Sequence, residues 1–203
     1  MILFDLDGVL VDSRPLIEEI WRSWAEPRGL DAERFIRVAH GRRTSETLRQ
    51  VAPDLDIAVN TALLDAMEEV ATDGLAPIPG ALELLTSLAP DSWAIVTSGS
   101  RAVATLRLRT AGLPIPPVMV TGEDVERGKP DPEPYLTAAR LTGTDPANCV
   151  VVEDSPAGIA AGKAAGMRFA AVPTTHRSFA LAEADVVLSQ LSDLPRLIRR
   201  WDL

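Results

Sequence analysis

Two aspartates one residue apart, Asp5 and Asp7, close the apolar run Ile2-Leu3-Phe4 and are followed at once by Gly8. The run reads as a short buried strand that the glycine breaks. Side chains alternate along a strand, so Asp5 and Asp7 are expected on one side and Leu6 on the other. The carboxyl end of a parallel strand is where such sheets bind ligands. Two carboxylates placed there together need a cation, a shared proton, or both. A turn cap beside an exposed acid would use the same residue types, and the remainder of the chain decides between the two.

Three other polar groups are expected at strand ends or just beyond them. Thr97-Ser98-Gly99-Ser100 follows Trp93-Ala94-Ile95-Val96, offering hydroxyls and backbone N–H groups at a helix start, which suits an anion. Lys129 stands in Gly128-Lys129-Pro130-Asp131-Pro132, and Glu153-Asp154 ends Val150-Val151-Val152 before Ser155-Pro156. Singly, these could be a helix cap, a solvated loop lysine and an N-cap. Only two of the 20 basic residues are lysines, however, and all four groups are expected at one edge of one sheet.

Together they fit phosphoryl transfer. Asp5 would attack phosphorus in line and become an aspartyl phosphate. Asp7 would protonate the leaving oxygen and later take a proton from the attacking water. Carboxylates do not approach a phosphate dianion unaided, so Mg²⁺ is expected, held by Asp5, the backbone carbonyl of Asp7, and Asp154, with Glu153 acting through water. Lys129 supplies further positive charge, and either Thr97 or Ser98 orients phosphate oxygens.

The elements that position these groups follow from periodicity. Residues 93–97, 118–121, 150–153, 168–172 and 185–188 read as strands alternating with helices, the pattern of a parallel sheet covered on both faces. Residues 14–77 differ. They read as four helices with no convincing strand: one with Ile17, Ile20, Trp21 and Trp24 on one stripe and ended by Gly29, then Asp31 to Ala39, Thr44 to Ala52, and Asp56 to Ala71 with Leu63, Leu64, Met67 and Val70 inside. Pro77-Ile78-Pro79-Gly80 marks a linker after them. The fold class is therefore α/β: a Rossmann-like, doubly wound core of residues 1–13 and 78–203 with an inserted helical domain of residues 14–77. Gly158, Gly162 and Gly166 are expected to form a small-residue face lying close on the sheet.

Composition limits the partners. With 29 acidic against 20 basic residues and a net charge of −9, the chain offers no electrostatic footprint for nucleic acid or an anionic membrane. No apolar run approaches the roughly 20 residues that span a bilayer. A cytoplasmic monomer is expected. The single cysteine, Cys149, begins an apolar run and reads as a buried hydrophobe.

The four segments, Asp5-Leu6-Asp7-Gly8-Val9-Leu10-Val11-Asp12-Ser13, Ile95-Val96-Thr97-Ser98-Gly99, Gly128-Lys129-Pro130 and Val151-Val152-Glu153-Asp154-Ser155-Pro156-Ala157-Gly158, resemble in order the four motifs of the haloacid dehalogenase superfamily. The resemblance covers nearly the whole chain and implies that the helical insert is a small cap that opens and closes over the site. It does not by itself give the reaction. A dehalogenase has no use for Asp7 as acid and base. A phosphonatase needs a cap lysine, and no lysine precedes Lys129. A β-phosphoglucomutase carries a histidine about where Ile17 stands and a cap lysine absent here. A phosphosugar-binding module without activity would be favoured by loss of Asp5, Asp7 or Lys129, and none is lost. The segments His40-Gly41-Arg42-Arg43-Thr44, Trp93 to Gly99, Gly128 to Tyr135 and Ala157 to Gly166 look like those of small sugar and polyol phosphatases. Phosphatases acting on phosphoglycolate or nucleotides, and the mutase, are the alternatives. The expectation is a small phosphorylated metabolite as substrate, with His40 and Arg43 of the cap touching its hydroxyls or phosphate.

Overall fold

The computed structural model describes residues 1–201. Six parallel strands form the central sheet: β1 (Ile2–Phe4), β4 (Trp93–Val96), β5 (Met119–Val120), β6 (Val150–Glu153), β7 (Arg168–Ala171) and β8 (Val186–Val187), in the spatial order β5-β4-β1-β6-β7-β8. β1 lies between β4 and β6, with Leu3 opposite Ala94 on one side and Val151 on the other. Its position explains its composition, since both faces of a central parallel strand are covered. Ile2 and Phe4 join one buried cluster and Leu3 the other. Five helices flank the sheet: α5 (Ala81–Ser87), α6 (Arg101–Thr110), α7 (Glu133–Leu141), α8 (Pro156–Ala164) and α9 (Leu194–Arg200).

The insert comprises α1 (Arg14–Ala25), α2 (Ala32–Ala39), α3 (Thr44–Val51) and α4 (Ile57–Glu68), around a separate apolar cluster that includes Trp21, Trp24, Phe35, Leu48 and Leu64. Trp21 stacks on Phe35, and Trp24 meets both edge-on. Both crossings between insert and core are fixed by a two-stranded antiparallel ribbon, β2 (Val11–Asp12) with β3 (Ala76–Pro77). Two-residue strands are too short to leave a periodic signal, and the sequence reading contains neither.

Three expectations are corrected by the structure. The strand stops at Phe4, so alternation does not by itself orient Asp7. Instead the chain folds into a tight turn in which Leu6 O accepts from the N–H groups of Val9, Leu10 and Val11. Leu63 and Val70 are exposed rather than inside, at 39% and 79%: α4 buries only Leu64 fully and ends at Glu68, before Val70. Of the three spaced glycines, Gly158 and Gly162 do face β6, but Gly166 ends α8 in the left-handed conformation with open space around it. Cys149 is buried, as expected.

Candidate active site

Asp5, Thr97 and Glu153-Asp154 stand at or just beyond the carboxyl ends of β1, β4 and β6, three neighbouring strands. Sheet pairing continues past β1, for the Asp5 N–H donates to Val152 O at 2.9 Å. Lys129 arrives from the loop before α7. Far from being a solvated loop residue, it is fully buried. Its Nζ donates to Asp5 Oδ1 at 2.5 Å, Glu153 Oε1 at 2.7 Å and Val96 O at 3.0 Å, so all three ammonium protons are used.

Glu153 is held from all sides. Oε1 also accepts from Tyr135 Oη at 2.9 Å, while Oε2 accepts from the N–H groups of Asp154 and Ser155 and from Ser155 Oγ. Both oxygens are thus filled by protein donors at the amino end of α8, a favourable place for negative charge. Glu153, expected one water from a metal, lies within 4.8 Å of Asp5 and Asp154 and anchors Lys129. Gly158 permits this, since a Cβ there would overlap the Glu153 carboxylate.

Electrostatics separate the three acids. Glu153, despite burial that alone would raise it, is held below the usual carboxylate range by Lys129 and by its hydrogen bonds. Asp5 and Asp154 are pushed up, mainly by burial and by neighbouring carboxylates, against the pull of Lys129. Lys129 itself is raised, because Asp5 and Glu153 outweigh its desolvation. Each of Asp5, Glu153 and Asp154 offers an oxygen within 4.8 Å of the others. One ammonium faces three buried carboxyl groups, fewer cations than are needed when all three are ionised. With Glu153 saturated, Asp5 and Asp154 are the donors that fit a hard, oxygen-loving divalent cation.

Asp7 lines the same cavity but is held differently: Oδ1 accepts from Ser13 Oγ at 2.6 Å and Oδ2 from Arg107 Nη1 at 2.7 Å. Gly8, next along, has φ +77°, and a Cβ there would overlap the Asp154 carboxylate, so glycine is needed on both counts. The turn is closed by residues absent from the sequence reading. Thr174 Oγ1 donates to Gly8 O, Thr175 Oγ1 donates to Asp154 Oδ2, and His176 Nδ1 lies 3.1 Å from Asp154 O. A polar run, Thr174-Thr175-His176, just beyond β7 at the same sheet edge was the available signal.

The cavity, of about 280 Å³, lies between this sheet edge and the helical insert. Thr97 and Ser98 both line it, with different partners. Thr97 Oγ1 accepts from the Gly99 N–H, leaving its proton free for a ligand, whereas Ser98 Oγ donates to Gly41 O of the insert at 2.9 Å. Arg43 does not present free donors. Nε and Nη2 bind Glu46 Oε1, Nη1 reaches Gly122 O and Val125 O at 3.4 and 3.2 Å, and Nη2 reaches Glu126 O at 2.8 Å. Glu46 in turn accepts from the Gly128 N–H, so the pair docks the insert on the loop that carries Lys129. Arg43 lines the cavity, but in this structure main-chain carbonyls of residues 122–126 and Glu46 hold the guanidinium expected to touch substrate. His40 does line the cavity, its ring 6.2 Å from that of His176, and burial and the neighbouring imidazole lower its pKa. Ile17 is there too, an apolar side chain on the insert wall.

Comparison with known proteins agrees with this architecture. A family model described as haloacid dehalogenase-like hydrolase matches residues 2–172. Hexitol phosphatase A of Escherichia coli is 45% identical over 95% of this chain and 91% of its own. 2-Deoxyglucose-6-phosphate phosphatase 1 of Saccharomyces cerevisiae is 37% identical over 95% and 88%. Among solved structures, a hydrolase from Pseudomonas syringae superposes with a TM-score of 0.87 at 26% identity, covering 98% of this chain and 97% of that one. The chain belongs to the haloacid dehalogenase-like hydrolase family.

Proposed function

We propose that this chain is a magnesium-dependent phosphatase of small phosphomonoesters, in particular sugar or polyol phosphates, and that it works through an aspartyl phosphate at Asp5. The observation that carries the reading is the buried floor: Asp5 fixed by Lys129, which Glu153 fixes in turn, with Asp154 alongside, facing a cavity large enough for a small phosphorylated molecule. The names of the relatives support the substrate class.

In this reading Asp5 and Asp154 hold Mg²⁺, which when bound offsets the charge of phosphate and carboxylates. Asp5 Oδ attacks phosphorus as the bond to the leaving oxygen breaks, and Asp7 delivers its proton to that oxygen, so the alcohol departs neutral. Asp7, now a carboxylate, takes a proton from water, whose oxygen attacks phosphorus and frees Asp5. Lys129 keeps the Asp5 oxygens in place, and the Thr97 hydroxyl donates to a phosphate oxygen. Residues 14–77 act as the cap, closed here by Ser98–Gly41, Arg43 and Glu46, and the β2–β3 ribbon is its hinge. The protein works as a cytoplasmic monomer, and among the described residues no helix is long and apolar enough to cross a membrane. Ile17, where the mutase-like reading asks for a histidine, argues for hydrolysis.

The test is phosphate release from a panel of small phosphomonoesters with and without Mg²⁺. Metal-dependent release from sugar or polyol phosphates, lost in Asp5→Asn, is the expected result. Interconversion of sugar phosphates without release would overturn it in favour of a mutase.

A further inference from the structure

Arg107 belongs to none of the four motifs, yet it is the most buried arginine of the cavity wall, 2% exposed, on α6 of the core. Its guanidinium forks. Nη1 donates to Asp7 Oδ2 and Nη2 to Glu68 Oε2, each at 2.7 Å, and Glu68 is the last residue of α4 in the insert. With the Ser13 hydroxyl on Asp7 Oδ1, a single chain of hydrogen bonds runs from the hinge ribbon through Asp7 to the far wall of the cap. Both Asp7 oxygens are thereby oriented, one by the residue that follows β2 and one by a buried fork.

This arrangement is poorly explained as a stabilising device. Burial of a guanidinium with two carboxylates recovers little net free energy even with good geometry. Here Nε is also buried without a partner among the described residues, which costs more. A strut of apolar residues would hold α6 against α4 at lower cost. What only the fork supplies is a direction for Asp7 that depends on where Glu68 sits, and therefore on the seating of the cap.

We propose that Arg107 is a positioning residue for Asp7, and that Glu68 couples that positioning to the cap. The inference rests on the proposed phosphatase reading, because it presumes that Asp7 moves the proton. A closed cap brings Glu68 to Nη2, so that Arg107 is shared between two carboxyl groups and holds Asp7 Oδ2 by a single hydrogen bond; the second lone pair of that oxygen carries the proton that goes to the leaving oxygen. With the cap displaced, the fork loses one end and Asp7 loses its direction.

The test compares leaving groups. In a single turnover of the wild type, release of alcohol from a hexitol phosphate requires a proton, whereas p-nitrophenyl phosphate releases a stable phenolate without one. Arg107→Lys keeps the charge but cannot bridge two carboxylates as a planar fork. It is expected to slow alcohol release roughly 10- to 100-fold, a share of the ~10²–10⁴ that general acid catalysis supplies. The p-nitrophenyl ester should lose only a few-fold, with KM for both little changed. Glu68→Ala should show the same pattern at smaller size, and it carries the test alone if Arg107→Lys fails to fold. Equal losses on both esters, or a rise in KM without a change in the leaving-group ratio, would overturn the positioning role. A Glu68→Ala protein with wild-type ratios would overturn the coupling to the cap. A wild type that releases neither leaving group would defeat the phosphatase reading itself, whereas a fully active wild type with an unselective Arg107→Lys would defeat only this one.

Discussion

The floor of the cavity and its lid are built on different principles. On the floor, Lys129, Asp5 and Glu153 are at most 3% exposed, sit on strand ends or on a loop packed beneath them, and have ammonium protons and Glu153 oxygens filled by protein partners. On the lid, His40, Arg43 and Glu68 are half-buried, and each has a neighbour or partner across the cavity in the core. The difference teaches that charge on the floor is fixed by folding, whereas charge on the lid is assembled only when the insert is seated. Mutations of the floor should therefore damage stability or abolish chemistry, and mutations of the lid should change rates by modest factors that depend on closure.

The sharpest way to break the comparison is Asp5→Asn. Turnover is expected to fall by ~10⁴-fold or more with the fold intact, as loss of a covalent nucleophile does. Residual turnover within 10²-fold of wild type, measured as phosphate release on about the same substrates, would remove Asp5 from the centre of the floor. Lys129→Met comes next. It leaves Asp5 and Glu153 buried without their shared cation, and breaking such a pair costs about 3–5 kcal/mol, readable in urea unfolding, besides the loss of activity.

Metal should act on the floor in a pH-dependent way. Burial raises Asp5 and Asp154 in the folded chain above the ordinary aspartate value of 3.8. A group raised on folding adds stability below its unfolded pKa, and that stability is lost as pH rises through the folded value. The metal-free protein should therefore lose the Asp5 contribution on going from about pH 4 to about pH 7, and Mg²⁺ should restore more at the higher pH, where no proton competes. Thermal unfolding with and without Mg²⁺ checks this; a metal-induced shift that is larger at low pH would contradict it.

The smallest effects should lie at the rim after β4 and on the lid that meets it. Thr97→Val removes the hydroxyl proposed to donate to the phosphate and should raise KM roughly tenfold, whereas Ser98→Ala removes one bond to Gly41, worth about 1 kcal/mol at most. Arg43→Ala should lower kcat/KM by roughly fivefold, the effect of about 1 kcal/mol of docking energy. The factor should be the same for every good substrate. A factor that varies with the sugar would return Arg43 to direct substrate contact.

What was legible in the sequence divides along the same line. Asp5, Glu153 and Asp154 were legible because their types carry chemistry and the strands just before them read clearly as buried apolar runs, and Lys129 because it is one of only two lysines and stands between Gly128 and Pro130. The alternation of strands and helices likewise gave the sheet and the inserted helices. Arg107 and Glu68 were invisible, since they lie 39 positions apart on helices of different domains and meet only through the reach of their side chains. Arg43 reads as a ligand because it stands in a basic loop near a site, and only the structure shows Glu46 and main-chain carbonyls of residues 122–126 taking its donors. The β2–β3 ribbon escaped because two paired residues have no period.

The most direct test of the account is chemical trapping of the covalent intermediate. The enzyme is mixed with a hexitol phosphate and Mg²⁺, quenched within the first turnover, and treated with borohydride, which reduces an acyl phosphate to the alcohol. Mass spectrometry should then find homoserine at position 5, absent without substrate or without metal and absent at Asp7 and Asp154. Phosphate release at full rate with Asp5 recovered unchanged, or with the reduced residue at another position, would contradict the central claim that the buried floor exists to hold Asp5 as a nucleophile.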